Sequence, residues 1–314
     1  MKTPIAIAAA LLGVAGLHAA DASRFAGIWV MRLGERNLFV LTLAQDNGAF
    51  RGAFDRPAKL TSTGSIFADI SSAVRRETVQ NARLVGDALR LTITNANNPN
   101  GRDDFLMTLA GDRAELRPAD IPPQIVIPPW VFQRASSEAK VATDWQPNRA
   151  YTAGDSDAPS TEMSAIYDED QKARMAPTID WAIVDKADAG RREQTRKLLA
   201  SGALHTGGDF EHAAFIFQHG GSADDYLLAH TLALIAVSKG QPTAIWIAAA
   251  TLDRYLQTIG RKQVYGTQFL KNAQQEWTQE PYDRTLISDP LRQQLGVSPQ
   301  ALQSRQLDAY EAQK

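Results

Sequence analysis

The sequence lacks cysteine, carries almost no net charge and has no long apolar run beyond its first residues. Without cysteine among its 314 residues, the chain cannot form a disulfide, use a thiol nucleophile or bind a metal through sulfur. Its 33 basic and 35 acidic residues argue against a dedicated nucleic-acid-binding protein. Hydrophobic residues make up 44% of the chain, which excludes wholesale disorder. The length allows roughly two domains of about 150 residues each.

The N-terminus has the pattern of an export signal. Lys2 precedes an apolar stretch over residues 5–17, and Ala20-Asp21-Ala22 places small residues where a signal peptidase cleaves. A membrane anchor needs about 20 apolar residues, and this stretch is shorter. The pattern predicts a signal peptide over residues 1–22, cleaved after Ala22 or, as the next choice, after Ala20. No later stretch is long and apolar enough to span a membrane, so we expect a soluble protein, periplasmic or secreted.

The sequence of residues 23–135 predicts short strands, because apolar residues recur at every second position. Leu89, Leu91 and Ile93 alternate with polar residues, which puts one face of a strand on a core. Asn47-Gly48 is a strong hairpin signal between two such runs. The pattern predicts a small antiparallel barrel or sandwich. Because proline cannot continue a central strand, the proline-rich run 121–129 is expected to close this domain.

The first strand of this half begins with Gly27-Ile28-Trp29. A Gly-x-Trp start followed by a meander resembles the start of a lipocalin. The resemblance implies a barrel in which the tryptophan closes one end. It leaves two alternatives for the barrel: a small apolar ligand inside, or a packed core with a scaffold or docking role.

The period changes after a polar linker at residues 136–160. Residues 161–270 follow a helical period, and helices are expected to stop at Gly220-Gly221, Gly240 and Gly260. Such short connections force neighbouring helices to pack antiparallel, and the alanine-rich pattern is similar to tetratricopeptide or Sel1-type helix pairs. Residues 271–314 are expected to form a polar helical tail. The predicted fold is therefore α+β with two domains, a β-barrel and an α-helical bundle.

The residues that could carry chemistry lie in the helical half. Four histidines remain after signal-peptide removal, and all fall between His205 and His230. Histidine is suited to acid–base work near neutral pH, and a buried aspartate such as Asp253 could orient it. A polar loop, Gln263–Gln268, follows the last of these helices. The chain has no His-Glu-x-x-His motif and no recognised ligand spacing, so no metal site is predicted and the cofactor stays unknown.

These features define the candidate site residues. We expect catalytic roles for His212, His219, His230 and Asp253. We expect substrate-binding roles for a second set of polar residues, in which Arg254 would hold an anionic group: Gln171, Arg174, Asp209, Gln218, Arg254, Gln263, Tyr265 and Gln268.

The helical half also resembles a bacterial family of domains of unknown function. The resemblance rests on four motifs in order: Asp170-Gln171 with Arg174, Asp209 followed by Ala213-Ala214 and Phe217-Gln218-His219-Gly220, Asp225-Tyr226 with Ala229-His230, and Asp253-Arg254 followed by Gln263 and Tyr265-Gly266-Thr267-Gln268. It covers residues 162–269, about a third of the chain. It implies a domain boundary and a shortlist of residues, and it implies no reaction.

Two hypotheses from different classes remain open at this point. In the first, the helical domain is a binder of an unknown small molecule or an enzyme with a hydrolytic site, which lies between its helices and is lined by histidine, aspartate, arginine and glutamine. In the second, it is a non-catalytic module that binds a periplasmic protein or peptide, and the polar motifs form a buried network that fixes the fold. The two differ in whether the polar side chains converge on one site or spread along the helix seams.

Overall fold

The computed structural model describes residues 22–95, 97–98, 100–122 and 124–312. The chain divides into two compact units, Met1–Pro147 with Tyr151–Gly154, and Asn148–Ala150 with Asp155–Lys314. The predicted signal peptide falls on residues 1–22, of which 1–21 lie outside the described residues.

The first unit is built on a closed antiparallel barrel of eight strands, arranged in the order β1-β10-β9-β8-β7-β6-β3-β2. The barrel strands are β1 (Gly27–Leu33), β2 (Arg36–Asp46), β3 (Ala49–Pro57), β6 (Val74–Val85), β7 (Ala88–Thr94), β8 (Arg102–Ala110), β9 (Arg113–Pro118) and β10 (Trp130–Ala135). The short strands β4 (Thr61–Thr63), β5 (Ile66–Ala68) and β11 (Tyr151–Thr152) form a separate three-stranded sheet. The prediction of a barrel within an α+β chain is confirmed.

Local sequence signals explain the hairpins of the barrel. Asp46 pairs with Ala49 across the Asn47-Gly48 turn, where both turn residues have positive φ, at 48° and 81°. Such a turn follows the right-handed twist of the two strands that it joins. The predicted alternation is also present, because Leu89, Leu91 and Ile93 are all buried in the barrel core. The fold of this half therefore follows largely from period and turn chemistry.

Aromatic residues fill the interior of the barrel. Trp29 is fully buried; its Nε1 donates to the carbonyl of Phe25, and the Arg134 guanidinium lies 4.1 Å from the indole centroid. Around Phe39, a second aromatic group packs the core, with Phe54, Phe67, Trp130 and Phe132 at ring-centroid distances of 4.8–6.4 Å. These side chains pack with buried aliphatic residues in one hydrophobic core, and the burial of this apolar surface stabilises the unit.

The proline-rich run does not end the barrel. Strand β10 follows Pro128-Pro129 and pairs with β9 on one side and β1 on the other, with Ile28 opposite Ala135. This pairing closes the barrel between the first and last strands. The expectation that the prolines close the domain was wrong, because they lie in the connection that leads into the closing strand.

The second unit is mainly helical. Its helices are α1 (Thr161–Arg174), α2 (Trp181–Ser201), α3 (Gly207–Gln218), α4 (Ala223–Ser238), α5 (Ile245–Thr258), α6 (Asp289–Gln294) and α7 (Gln300–Glu311). A 3₁₀ turn at Pro242–Ala244 precedes α5, and two short strands, β12 (Leu270–Lys271) and β13 (Trp277–Thr278), pair with each other. No described helix is both long and apolar enough to cross a bilayer.

Capping residues define where the helices begin. Asp180 caps α2, because its side chain accepts hydrogen bonds from the backbone N–H groups of Ala182 and Ile183. Thr206 and Asp209 form a capping box on α3, and Ser222 caps α4. Helix α4 packs against both α3 and α5 through fully buried alanines, such as Ala213, Ala233 and Ala248, which let the helices approach closely.

The residues after 270 belong to the same compact unit as the helices. Arg292 is fully buried, and Gln303 and Tyr282 are 2% and 5% exposed. All three donate hydrogen bonds to the carbonyl of Tyr265. The expectation of a polar surface tail is revised, because this segment holds the Gln263–Gln268 loop in place.

The barrel offers a sharp test at Gly52. A Cβ at this position would lie 2.2 Å from the carbonyl oxygen of Thr42 on β2, and a backbone atom cannot move away cheaply. We expect Gly52→Ala to lower the free energy of unfolding by about 1–3 kcal/mol, measured by urea denaturation.

The matched control is Gly190→Ala. Gly190 lies inside α2, and a Cβ there would meet no atom within 4 Å. Alanine is the better helix former, so this change should stabilise the protein by about 0.5–1 kcal/mol. Equal effects of the two substitutions would contradict the packing of β3 against β2.

Candidate functional site

Polar side chains from three helices meet at the end of α3. The carbonyl oxygens of Gln218, His219 and Gly220, which we call the α3 C-terminal loop, are each bound by a side chain from another helix. Arg254 of α5 donates to Gln218 O at 2.8 Å. Arg192 of α2 donates to His219 O at 2.7 Å, and Tyr226 of α4 donates to Gly220 O at 2.7 Å. These donors replace the helix partners that the last carbonyls of a helix lack.

A buried cluster of charges lies next to this loop. Arg174 donates one hydrogen bond to Asp170 and another to Asp188, both at 2.6 Å. Arg191 donates to Asp188 at 2.5 Å, and its Nε lies 3.3 Å from Asp170. The two carboxylates are almost completely buried, and each is compensated by two arginines. These bonds hold the pKa of Asp188 below its ordinary value, against the opposing effect of its burial.

His219 joins the charge cluster to the loop. Its Nδ1 lies 3.2 Å from Oδ1 of Asp170. Because a carboxylate only accepts hydrogen bonds, the ring nitrogen donates, and Nε2 is left as the second nitrogen of the imidazole. The side chain is 17% exposed, so solvent reaches part of the ring.

Arg254 is the unusual cation of the site. Its Nε donates to Oε1 of Gln268 at 2.8 Å, and its guanidinium lies beside the Tyr226 side chain. Within the described part of the chain, no carboxylate forms an ion pair with Arg254. Burial lowers the pKa of Arg254, and the charge of Arg174 acts in the same direction. The site therefore holds a half-buried positive charge for which the described residues supply no carboxylate partner.

Asp253 has a structural environment and not the predicted catalytic one. Oδ1 accepts from the backbone N–H groups of Val264 and Tyr265, at 2.8 and 3.0 Å. Oδ2 accepts from the N–H and the hydroxyl of Thr267, at 3.0 and 2.8 Å. The carboxylate is fully buried, and these bonds all come from the loop after α5. The prediction that Asp253 orients a histidine was wrong, because the loop occupies both of its oxygens.

The glutamines of the same loop also bind backbone groups. Gln263 donates to the carbonyls of Gln268 and Gln279 and accepts from the N–H of Gln268. Gln268 donates to the Ala250 carbonyl while its Oε1 holds Arg254. The structure thus places Gln263 and the backbone of Tyr265 in the framework of the loop. Gln268 alone connects this framework to the candidate site.

Three of the predicted residues lie away from this site. Asp209 is a capping residue whose oxygens accept from the N–H groups of Ser160, His205 and Thr206. His230 donates from Nδ1 to the carbonyl of Ala248, at the seam between α4 and α5. His212 stacks on Tyr167 of α1, with ring centroids 4.0 Å apart. Cap, seam and stacking contacts account for their positions, so the structure does not bring these three residues to the α3 C-terminal loop, and their expected roles stay predictions.

The remaining predicted residues do converge. Gln171 donates to Oδ2 of Asp170, and Gln218 lies beside His219 with its Oε1 buried and without a hydrogen-bond partner. The converging set consists of Gln171, Arg174, Gln218, His219, Arg254 and Gln268. The site also contains residues absent from the shortlist: Asp170, Asp188, Arg191, Arg192 and Tyr226. The spacing of Asp188 and Arg191 on one helix face was a usable signal for part of this group.

The barrel also contains buried charges, but they are matched in number. Glu77 is 4% exposed, with Arg75 at 2.6 Å and Arg56 at 3.9 Å from its oxygens. Burial raises the pKa of Glu77, and the two arginines oppose that rise. Asp103 acts on Arg56 as a second negative charge, so two cations face two carboxylates. This cluster lacks the unbalanced charge that marks the helical unit.

Comparison with protein-family models, with curated proteins and with solved structures finds no match for this chain. Across the described residues, no group of three or more histidine, aspartate or glutamate side chains is arranged to hold a metal ion. The site is therefore interpreted from its geometry and its charges.

The role of Asp253 can be tested by replacement with asparagine. Asparagine would present a donor to one pair of loop N–H groups, which leaves buried donors without acceptors. We expect Asp253→Asn to lower the free energy of unfolding by about 2–3 kcal/mol, seen as a lower Tm. Asp308→Asn, on the exposed face of α7, is the matched control and should leave Tm unchanged. An unchanged Tm for both variants would show that the loop does not depend on Asp253.

The environment of His212 predicts a pH effect on stability. Burial lowers the pKa of His212 in the folded protein, so the unfolded chain binds a proton more readily. The stability that this residue contributes is complete above the unfolded value near 6.5 and is lost as the pH falls through the folded pKa. We expect the Tm of the wild type to fall more steeply than that of His212→Phe between about pH 7 and about pH 5.

Phenylalanine is chosen at this position because it keeps the stacking on Tyr167 and removes only the titration. The other histidines are present in both proteins and cancel in the comparison. Parallel pH dependences in thermal melts would contradict the predicted effect.

Proposed function

We propose that the helical unit binds a small anionic molecule at Arg254, next to the α3 C-terminal loop. The single observation that carries this proposal is the half-buried Arg254 guanidinium without a carboxylate partner in the described chain. A buried charge is costly unless it is paired, and a bound anion supplies the pair. Arginine binds carboxylate and phosphate groups through two parallel hydrogen bonds, so it is well suited to this role.

The charges around Arg254 support an anion over a cation. Arg174 and Arg191 are balanced by Asp170 and Asp188, whereas Asp225 lies 2.5 Å from Arg196 and 3.9 Å from Arg192. Positive charge is therefore in excess around the loop, and Arg254 has no carboxylate partner within the described chain. The planar guanidinium of Arg254 is also fixed in place, because Oε1 of Gln268 and the carbonyl of Gln218 each accept a hydrogen bond from one of its nitrogens. A preorganised donor binds a ligand without first losing side-chain freedom.

The α3 C-terminus offsets part of this charge, which favours a moderate affinity. The carbonyl end of a helix carries about half a negative elementary charge. Arg254 reaches that end through Gln218 O. The remaining positive charge would be available to the ligand. A purely structural role for the network, as in a protein- or peptide-binding module, is the competing function, and it requires no response to small anions.

The proposal also covers the location of the protein, the type of barrel and helix pairs, and the family. We infer export through the N-terminal signal pattern, hence a periplasmic or secreted protein, and a lipocalin-like barrel next in the chain. The alternation of short helices with buried alanines supports Sel1-like or tetratricopeptide-like helix pairs in the second unit. The four polar motifs support membership of the bacterial family named above. The converging residues of the site come largely from these motifs.

Anion binding predicts a selective thermal shift. Small carboxylates and inorganic phosphate, compared with chloride at equal ionic strength, should raise the Tm of the wild-type protein. At a hundredfold excess over Kd the stabilisation is about 2.7 kcal/mol, which corresponds to several degrees. Arg254→Gln should abolish this shift. Arg305→Gln, an exposed arginine of the same unit, should retain it.

A second variant separates charge from shape. Gln268→Glu would place a carboxylate where Oε1 of Gln268 now holds Arg254, and it would supply the missing negative partner from within the chain. The anion-induced shift should then disappear although Arg254 is present. If anions stabilise Arg254→Gln and Gln268→Glu as much as the wild type, the site does not bind anions and the structural role stands.

A further inference from the structure

The imidazole of His219 is held from two sides. Its Nδ1 donates to Asp170, and its own carbonyl accepts from Arg192. Asp170 is fixed in turn by Arg174 and by Gln171, at 2.6 and 3.0 Å. Both the backbone and the ring of His219 are thus immobilised, whereas its 17% exposure leaves the ring open to solvent.

The bond to Asp170 decides which nitrogen can act as a base. With the proton on Nδ1 directed at a carboxylate, the lone pair of the neutral ring lies on Nε2. In the described part of the chain, Nε2 of His219 has no hydrogen-bond partner. An oriented imidazole with a free basic nitrogen is the arrangement that general-base catalysis requires.

The histidine and the unpaired arginine are neighbours through the α3 C-terminal loop. Arg254 binds the carbonyl of Gln218, the residue before His219. Arg174, whose charge acts on Arg254, shares Oδ1 of Asp170 with the His219 ring. A proton acceptor and an anion-binding group therefore lie at the same loop.

We propose that the site is hydrolytic, with His219 as the general base that activates water to attack the ester carbonyl of a small substrate whose carboxylate binds Arg254. This inference rests on the proposed anion-binding function. One carboxylate on the substrate supplies the negative partner that Arg254 lacks within the described chain. A neutral ester group attached to one carboxylate meets that condition.

The reaction balances with water as the only co-reactant. Nε2 of His219 takes a proton from water as the water oxygen forms a bond to the ester carbonyl carbon. The tetrahedral intermediate then breaks its bond to the alcohol oxygen, and the imidazolium returns the proton to that oxygen. The products are a carboxylic acid, which loses a proton to solvent, and an alcohol. Asp170 acts as a positioning residue, because it touches the imidazole and not the substrate.

The experiment measures hydrolysis of acetyl esters of hydroxybenzoic acids by the full-length protein. Isomers with the carboxylate at different distances from the ester are each paired with their methyl ester, which lacks the negative charge. We expect hydrolysis of at least one carboxylate substrate and a kcat/KM at least tenfold lower for its methyl ester. His219→Gln should lower kcat about a hundredfold or more with little change in KM. Arg254→Gln should mainly raise KM.

His205→Gln is the matched control, because it makes the same change at a histidine of the same unit whose hydrogen bond to Asp209 comes from the backbone N–H. It should leave kcat unchanged. For the wild type, kcat/KM should rise with pH through one ionisation, and His219→Gln should lose that rise. The charged and titratable groups that surround His219 in this profile are Asp170 and Arg174 of α1, Arg191 and Arg192 of α2, Asp225 and Tyr226 of α4, and Arg254 of α5.

The outcomes separate the two proposals. If carboxylates raise the Tm through Arg254 and no ester is hydrolysed, or if His219→Gln hydrolyses as fast as the wild type, the hydrolytic inference is overturned and anion binding stands. If no anion raises the Tm, anion binding itself is wrong. A pH profile that His219→Gln leaves intact would also overturn the role of the imidazole, whatever the stability of the variant.

Discussion

The helical unit depends on one requirement, which is that the last carbonyls of α3 obtain hydrogen-bond donors. Carbonyl groups at a helix end have no partner within the helix, and leaving them unpaired away from water costs free energy. Arg192, Tyr226 and Arg254 supply the donors, one from each of α2, α4 and α5. Three helices therefore converge on one loop. The polar site lies where these donor side chains meet the carbonyls at the end of α3.

The same donors concentrate positive charge at the α3 C-terminal loop. Two of the three donors are arginines, and Arg174 and Arg191 lie next to them around Asp170 and Asp188. Most of these cations have a carboxylate partner, whereas Arg254 has the carbonyl of Gln218 and the amide oxygen of Gln268. These two neutral acceptors satisfy hydrogen-bond donors of the Arg254 guanidinium, but they do not neutralise its positive charge. A purely structural donor could have been neutral, as Tyr226 is, so the charge of Arg254 is the feature on which the proposed anion binding rests.

Sequence patterns predicted the parts of the fold that local physics controls. The alternation of Leu89, Leu91 and Ile93 and the Asn47-Gly48 turn are local, and both were correct. The closure of the barrel by β10 was missed, because it depends on pairing with β1, more than a hundred residues away. In the site, Arg174, His219 and Arg254 were on the shortlist. Asp253 was misinterpreted, since its partners are mainly backbone N–H groups, and a sequence shows side chains only.

Asp253 and Asp170 show why burial of a carboxylate does not by itself indicate catalysis. Both are fully buried, yet Asp253 is bound by three amide N–H groups and a hydroxyl, and none of these groups ionises near neutral pH. Asp170 is bound by guanidinium groups, an amide and an imidazole. Only the imidazole can gain and lose a proton in the physiological range while it keeps its bond to the carboxylate. Among the groups that bind these two carboxylates, His219 is therefore the one suited to the proposed proton transfer, and the loop built on Asp253 holds Gln268 against Arg254.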